Sequence, residues 1–179
     1  FDPELLEEVT SLVEWPVTLA GGFDKSFLAI PPEVLISAMK EHQRYFHLVD
    51  SESKLVPRFL TVSNIESRDS NLVVRGNERV IRPRLTDAAF FFAQDTKTTL
   101  LEKSERLKQV IFQTDLGSYY DKASRISALS GFIAEKLGVS KDHASRAGLL
   151  CKADLVSDMV GEFPDLQGVM GGYYAKHDA

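Results

Sequence analysis

Four arginines, Arg75, Arg79, Arg82 and Arg84, fall within ten residues of a chain whose formal net charge is −5. A guanidinium fork matches phosphate oxygens in geometry and stays charged at neutral pH, so such a run suits an RNA backbone. In a helix Arg75, Arg79 and Arg82 stand at i, i+4 and i+7 and share one face. The competing reading is a solvated face, with Glu78 and Asp87 pairing locally. A second group, Lys40, Glu41, His42, Gln43, Arg44 and Tyr45, sets basic beside aromatic side chains, as phosphate and base contacts require. Its alternative is that Lys40 and Arg44 simply complement the negative end of a helix.

Beyond residue 115 the candidates thin out. Lys122, Arg125 and Lys152 are further cations for RNA. Arg125-Ile126-Ser127-Ala128 and Ala147-Gly148-Leu149-Leu150-Cys151-Lys152 resemble a degenerate histidine–aspartate phosphohydrolase domain. In that family an arginine precedes a metal-binding histidine by three residues, and a later helix carries adjacent His and Asp ligands. Here those places fall on Ala128, Cys151 and Lys152, none of which restores the site. A hydrolase reading would rest on Asp154, Asp158 and His143, so no metal site and no catalytic residue is assigned. Gly168-Val169-Met170-Gly171-Gly172 lacks the strand and spacing of a nucleotide loop.

The elements that position these groups follow from period and punctuation. The apolar stripe Leu5, Leu6, Val9, Leu12 and Val13 predicts a helix from Pro3 to Glu14, with acids in its first turn. Val17–Leu19 and Phe27–Ile30 read as short strands. Pro32 to Arg44 reads as a helix with Val34, Leu35, Ala38 and Met39 inward. Tyr45–Val49 and Phe59–Val62 read as an antiparallel pair across the polar turn Asp50–Lys54. From Leu72 the pattern is helical, with Pro83 either starting a helix or kinking a long one. Phe90-Phe91-Phe92 cover too many faces for an exposed helix and are expected to be central. Thr98–Val110 reads as an amphipathic surface helix. After Gly117 strand signals vanish: Lys122–Leu137 is a helix closed by Gly138, Lys141–Glu162 is one or two more, and Pro164–Gly172 is a break.

The expected fold class is therefore α+β, with an α/β domain over 1–115 and an all-helical domain over 116–179. Hydrophobic residues make up 44% of the chain, enough to bury a core, which excludes a disordered tail. The acidic balance means that any nucleic-acid role rests on local patches. The single cysteine, Cys151, rules out an internal disulfide and fits a reducing cytoplasm. No apolar run approaches a membrane span of roughly 20 residues. The chain begins at Phe1 without Met and closes on Lys176-His177-Asp178-Ala179, as a piece of a longer polypeptide would.

Several runs together resemble the beta subunit of the bacterial, heterotetrameric glycyl-tRNA synthetase. They are Val13-Glu14-Trp15-Pro16, Phe27 through Leu35, Met39-Lys40-Glu41-His42-Gln43-Arg44-Tyr45-Phe46, Phe59 through Asn64, Val74-Arg75-Gly76-Asn77-Glu78-Arg79-Val80, and Lys152 through Gly171. They stand in family order along nearly the whole chain. The resemblance implies an α/β part like the editing-type domain of the phenylalanyl-tRNA synthetase beta chain. It implies tRNA(Gly) and an alpha subunit as partners in an alpha2-beta2 assembly. The alpha subunit would make glycyl-adenylate from ATP with Mg, and this segment would bind no cofactor itself. It strengthens the RNA reading of Arg75, Arg79, Arg82, Arg84, His42 and Arg44.

Overall fold

The structure, a computed structural model, describes residues 2–179. The chain forms two compact units, Phe1–Phe90 and Phe91–Ala179.

In the first unit, helix α1 (Pro3–Leu12) starts under an Asp2 cap, whose carboxylate accepts from the Leu5 amide at 3.0 Å. Strand β1 (Val17–Gly22) follows. The segment expected as a strand at Phe27–Ile30 is instead a 3-10 turn, Lys25–Ala29. Asp24 decides this, because its carboxylate accepts from both the amide and the hydroxyl of Ser26 and so caps a turn. Helix α2 (Pro32–Gln43) buries Val34, Leu35, Ala38 and Met39, as its period requires. Strands β2 (Phe46–Val49) and β3 (Leu55–Ser63) pair antiparallel, and β3 lies between β1 and β2. In the turn between them, the Asp50 carboxylate accepts from the amides of Glu52 and Lys54.

The core of this unit is aromatic at its centre. Tyr45 stacks on Phe59 with ring centroids 4.5 Å apart and planes within 9°. Gly21 stands opposite Phe59 in the sheet, and a Cβ there would lie 2.5 Å from the ring, so only glycine leaves the ring its place.

Helix α3 (Ser70–Asp95) is one continuous helix with Pro83 inside it. Pro83 is exposed and has no N–H, so it cannot supply the usual helical bond to the carbonyl of Arg79. Ile81, Leu85 and Ala88 form its fully buried stripe. The division between the units falls inside α3 rather than near residue 115. The reason is that the segment before 115 is bound into the second unit by polar side chains that composition does not reveal.

In that second unit, α4 (Leu100–Arg106) opens with a capping box of Thr99 and Glu102 and runs into a 3-10 turn, Leu107–Gln109. It is not surface-lying: Leu100, Lys103, Ser104 and Leu107 are buried. Strands β4 (Ile111–Gln113) and β5 (Gly117–Ser118) make a small hairpin in a stretch given no element by the sequence pattern, and β5 falls inside the part 116–179 expected to be all-helical. Helix α5 (Tyr119–Leu137) begins with a second capping box and ends at Gly138 with φ 71°. Helix α6 (Lys141–Leu150) lies close against α5. The approach depends on Gly148, where a Cβ would lie 2.8 Å from the Ser127 Cα, and is fixed by the Ser127 hydroxyl donating to the Ser145 carbonyl at 2.7 Å. A 3-10 turn (Ala153–Val156), α7 (Asp158–Glu162), a turn at Pro164–Leu166 and α8 (Val169–His177) complete the unit. The expected break at Pro164–Gly172 thus already contains the first turn of α8.

Two buried acids organise these short helices. Asp95, 4% exposed, accepts from the amides of Asp158 and Met159 and from the Tyr174 hydroxyl at 2.8 Å. Asp154, 1% exposed, accepts with one oxygen from the amides of Gly168 and Gly171 and so satisfies the start of α8. Lys103, 1% exposed, donates to the carbonyls of Asp95 and Thr98 and to the Thr98 hydroxyl, and lies 5.2 Å from the Tyr174 ring centroid. Burial pushes its ammonium below the usual lysine range and raises the Tyr174 phenol. Of the three phenylalanines expected at the centre, Phe92 stacks on Tyr174 at 6.0 Å, whereas Phe90 is 56% exposed.

Candidate nucleic-acid interface

Because α3 is unbroken from Ser70 to Asp95, Arg75, Arg79 and Arg82 share a face, and all three are exposed. Among the described residues no ion pair engages any of the three. Glu78, expected as a local partner, instead accepts from the Gly22 amide at 2.9 Å, which ties α3 to the end of β1. The small cavity there is lined by Gly22, Phe23, Asp24, Phe27, Glu78 and Arg82. Arg82 faces Asp24, whose carboxyl is held below its ordinary range first by the Ser26 hydroxyl, then by the Ser26 amide, with Arg82 adding a smaller pull. Arg82 is therefore partly balanced, and Arg75 and Arg79 are the cations most open to an anion. Arg84 departs from the stripe. It sits nine residues after Arg75, half a turn round the helix, and is half-buried.

The α2 terminus is a different surface. Tyr45 turns inward, 3% exposed, and its hydroxyl donates to the Asn77 carbonyl oxygen at 2.5 Å. Asn77 lies on nearly the opposite side of α3 from the arginines, so that contact does not join the two basic groups into one patch. Burial pushes the Tyr45 phenol up to about 12. Arg44 has φ 57°, donates to the Glu41 carbonyl and pairs with Glu8 of α1 at 2.5 Å. Lys40 pairs with Asp2 at 2.7 Å. Both cations thus hold α1 onto α2 while complementing the end of α2. His42 is exposed in the last turn of α2.

In the second unit Lys122 lies 3.7 Å from the centroid of Phe112, which packs edge-on against Tyr119, so its charge sits on an aromatic face. Arg125 donates to the Leu116 carbonyl at 3.0 Å and pins the hairpin. Lys152 is half-buried, just before the 3-10 turn at Ala153. His143, Asp154 and Asp158 do not converge: no group of three or more His, Cys, Asp or Glu among the described residues is placed to hold a metal ion. What the sequence reading missed is the buried set Asp95, Lys103 and Tyr174, whose polar types carry no periodic signal.

A family model described as the glycyl-tRNA synthetase beta subunit matches residues 1–179 of this chain. The chain belongs to the glycyl-tRNA synthetase beta subunit family. Its similarity to individual members is high. A protein of Pseudomonas entomophila (strain L48), named glycine–tRNA ligase beta subunit, is 58% identical over 176 residues, covering 98% of this chain and 26% of that protein. A protein of the same name from Chromohalobacter salexigens is 58% identical over 177 residues, covering 99% of this chain and 26% of that one. The chain thus spans about a quarter of the length of these members of the glycyl-tRNA synthetase beta subunit family. No helix among the described residues is long and apolar enough to cross a membrane.

Proposed function

We propose that residues 1–179 are a tRNA-handling portion of a glycyl-tRNA synthetase beta subunit, acting in the cytoplasm within an alpha2-beta2 enzyme. The alpha subunit makes glycyl-adenylate from ATP with Mg, and this portion positions tRNA(Gly) for transfer of glycine and supports subunit assembly. It contributes no catalytic side chain and binds no cofactor of its own. Its α/β part is read as an editing-type module and its helices as a degenerate phosphohydrolase module. Editing itself is not required of it, since a pocket for glycine can reject larger side chains by size.

The observation that carries the tRNA reading is the exposed, unpaired pair Arg75 and Arg79 on one face of α3, in a chain that is otherwise acidic. Each guanidinium that reaches a phosphate displaces condensed counterions, which makes affinity fall with salt. The test is tRNA(Gly) binding to the full-length subunit over a salt series, for wild type and Arg79→Ala. Loss of one phosphate contact lowers the slope of log affinity against log salt by about 0.9 and weakens binding to all tRNAs alike. An unchanged slope would remove Arg79 from the interface. If Arg75→Ala were also without effect, the portion would be a scaffold for the alpha subunit with RNA held elsewhere.

A further inference from the structure

Asp24, Glu78 and Arg82 line one small cavity of the first unit, and each carries charge that the fold leaves uncommitted. The cavity, about 230 Å³, forms where the end of β1 at Gly22, the 3-10 turn with Asp24 and Phe27, and the Glu78–Arg82 turn of α3 meet, with Phe23 completing its wall. Asp24 uses Oδ1 for the amide and the hydroxyl of Ser26, at 2.8 and 2.6 Å, and its Oδ2 takes no hydrogen bond among the described residues. Glu78 uses Oε1 for the Gly22 amide at 2.9 Å, and its Oε2 is likewise unbonded among them. Arg82, one turn further along α3, pairs with neither acid. It is still near enough to Asp24 to help hold that carboxyl ionised, after the Ser26 hydroxyl and amide. Capping the turn and tying α3 to β1 thus account for one oxygen of each acid, and for nothing of Arg82.

We propose that this cavity binds a free α-amino acid with a small apolar side chain, its ammonium on Asp24 and Glu78, its carboxylate on Arg82 and its side chain on Phe23 and Phe27. In an α-amino acid the ammonium and the carboxylate leave the same carbon, so both fit within one small cavity. The ammonium donates three hydrogen bonds, enough for Oδ2 of Asp24 and Oε2 of Glu78, and the carboxylate accepts the guanidinium fork. A few convergent polar groups beside an aromatic wall are the usual make-up of a small-molecule site. A phosphate is opposed by two carboxylates set against one guanidinium. A metal ion finds two acids, no third ligand among the described residues and a cation beside them. The bound amino acid adds a second link between α3 and the end of β1, beside the bond from Gly22 to Glu78. The site is separate from the activation of glycine, which the proposed function gives to the alpha subunit. It is also separate from the tRNA reading, which rests on Arg75 and Arg79, neither of which lines the cavity.

The test is a saturation-transfer NMR titration of the full-length beta subunit without the alpha subunit. The ligands are L-valine, isobutylamine, which lacks its carboxylate, isovalerate, which lacks its ammonium, and glycine, which lacks its side chain. L-Valine is expected to bind, and each half-ligand to bind at least roughly 10-fold more weakly, because each forfeits a charge-assisted contact. Glycine is expected to bind roughly 5-fold more weakly, because it leaves the two rings uncovered. Asp24→Asn and Glu78→Gln keep the oxygens that Ser26 and Gly22 use and remove only the charge, so the fold is retained. Each is expected to weaken L-valine roughly 10-fold, as is Arg82→Gln. No saturation transfer to L-valine in wild type overturns the site. So does isobutylamine or glycine binding as tightly as L-valine, the first of which would mark a plain cation subsite. Equal binding of L-valine by wild type and all three variants also overturns it, by placing the ligand elsewhere on the subunit.

Discussion

Replacing Asp95 by Ala removes an acceptor that three donors share, and its cost follows from the geometry. The carboxylate is 4% exposed and takes the amides of Asp158 and Met159 at 3.0 and 2.9 Å and the Tyr174 hydroxyl at 2.8 Å. Hydrogen bonds to a charged group contribute about 1.5–3 kcal/mol each, and a buried donor left without a partner keeps its desolvation cost. The three bonds share one group and are not additive, so we expect about 4 kcal/mol for Asp95→Ala. Tyr174→Phe deletes one donor and leaves Asp95 its two amides, so about 1 kcal/mol is expected. In the double variant no hydroxyl is stranded, and the combined cost falls below the sum of the two. Native-state hydrogen exchange of the amides of α7 and α8 isolates this unit from the rest of the chain. The reasoning is refuted if Asp95→Ala lowers their opening free energy by less than about 1 kcal/mol, or if the two substitutions add.

Other perturbations test separate parts of the structure. Burial holds the His47 imidazole below its ordinary value of 6.5, so the fold favours the neutral ring. That stability is complete above pH 6.5 and is lost as pH falls through the lower folded value, so denaturation midpoints in wild type, but not in His47→Gln, should decline over that window. Gly148→Ala drives a Cβ to 2.8 Å from the Ser127 backbone, which has no flexible end to yield, and a cost of about 1–3 kcal/mol is expected in thermal or denaturant unfolding. Gly161→Ala in α7 meets nothing within 4 Å and should be neutral or stabilising by about 0.4–1 kcal/mol in the same assay. Lys103→Met leaves the carbonyls of Asp95 and Thr98 without their shared donor and should cost about 2–3 kcal/mol, whereas exposed Lys97→Met should not change stability measurably.

The amino-acid sequence by itself determined most local elements of this protein. The period of Val34, Leu35, Ala38 and Met39 makes α2, the polar turn Asp50–Lys54 joins β2 to β3, and Gly138 closes α5, because caps, turns and period act over a few residues. The order of its runs also determined the family. Tertiary structure decided which polar groups are internal. Lys103 reads as a surface cation and Asp154 as a candidate ligand, yet both are buried because helix ends distant in sequence present carbonyls and amides that need partners. It decided likewise that Tyr45 joins the core while Arg79 stays open, that Arg44 belongs to Glu8, and that Lys122 rests on Phe112. An arginine and its partner 36 residues away leave no mark in a local window, and only the folded chain brings them within 2.5 Å.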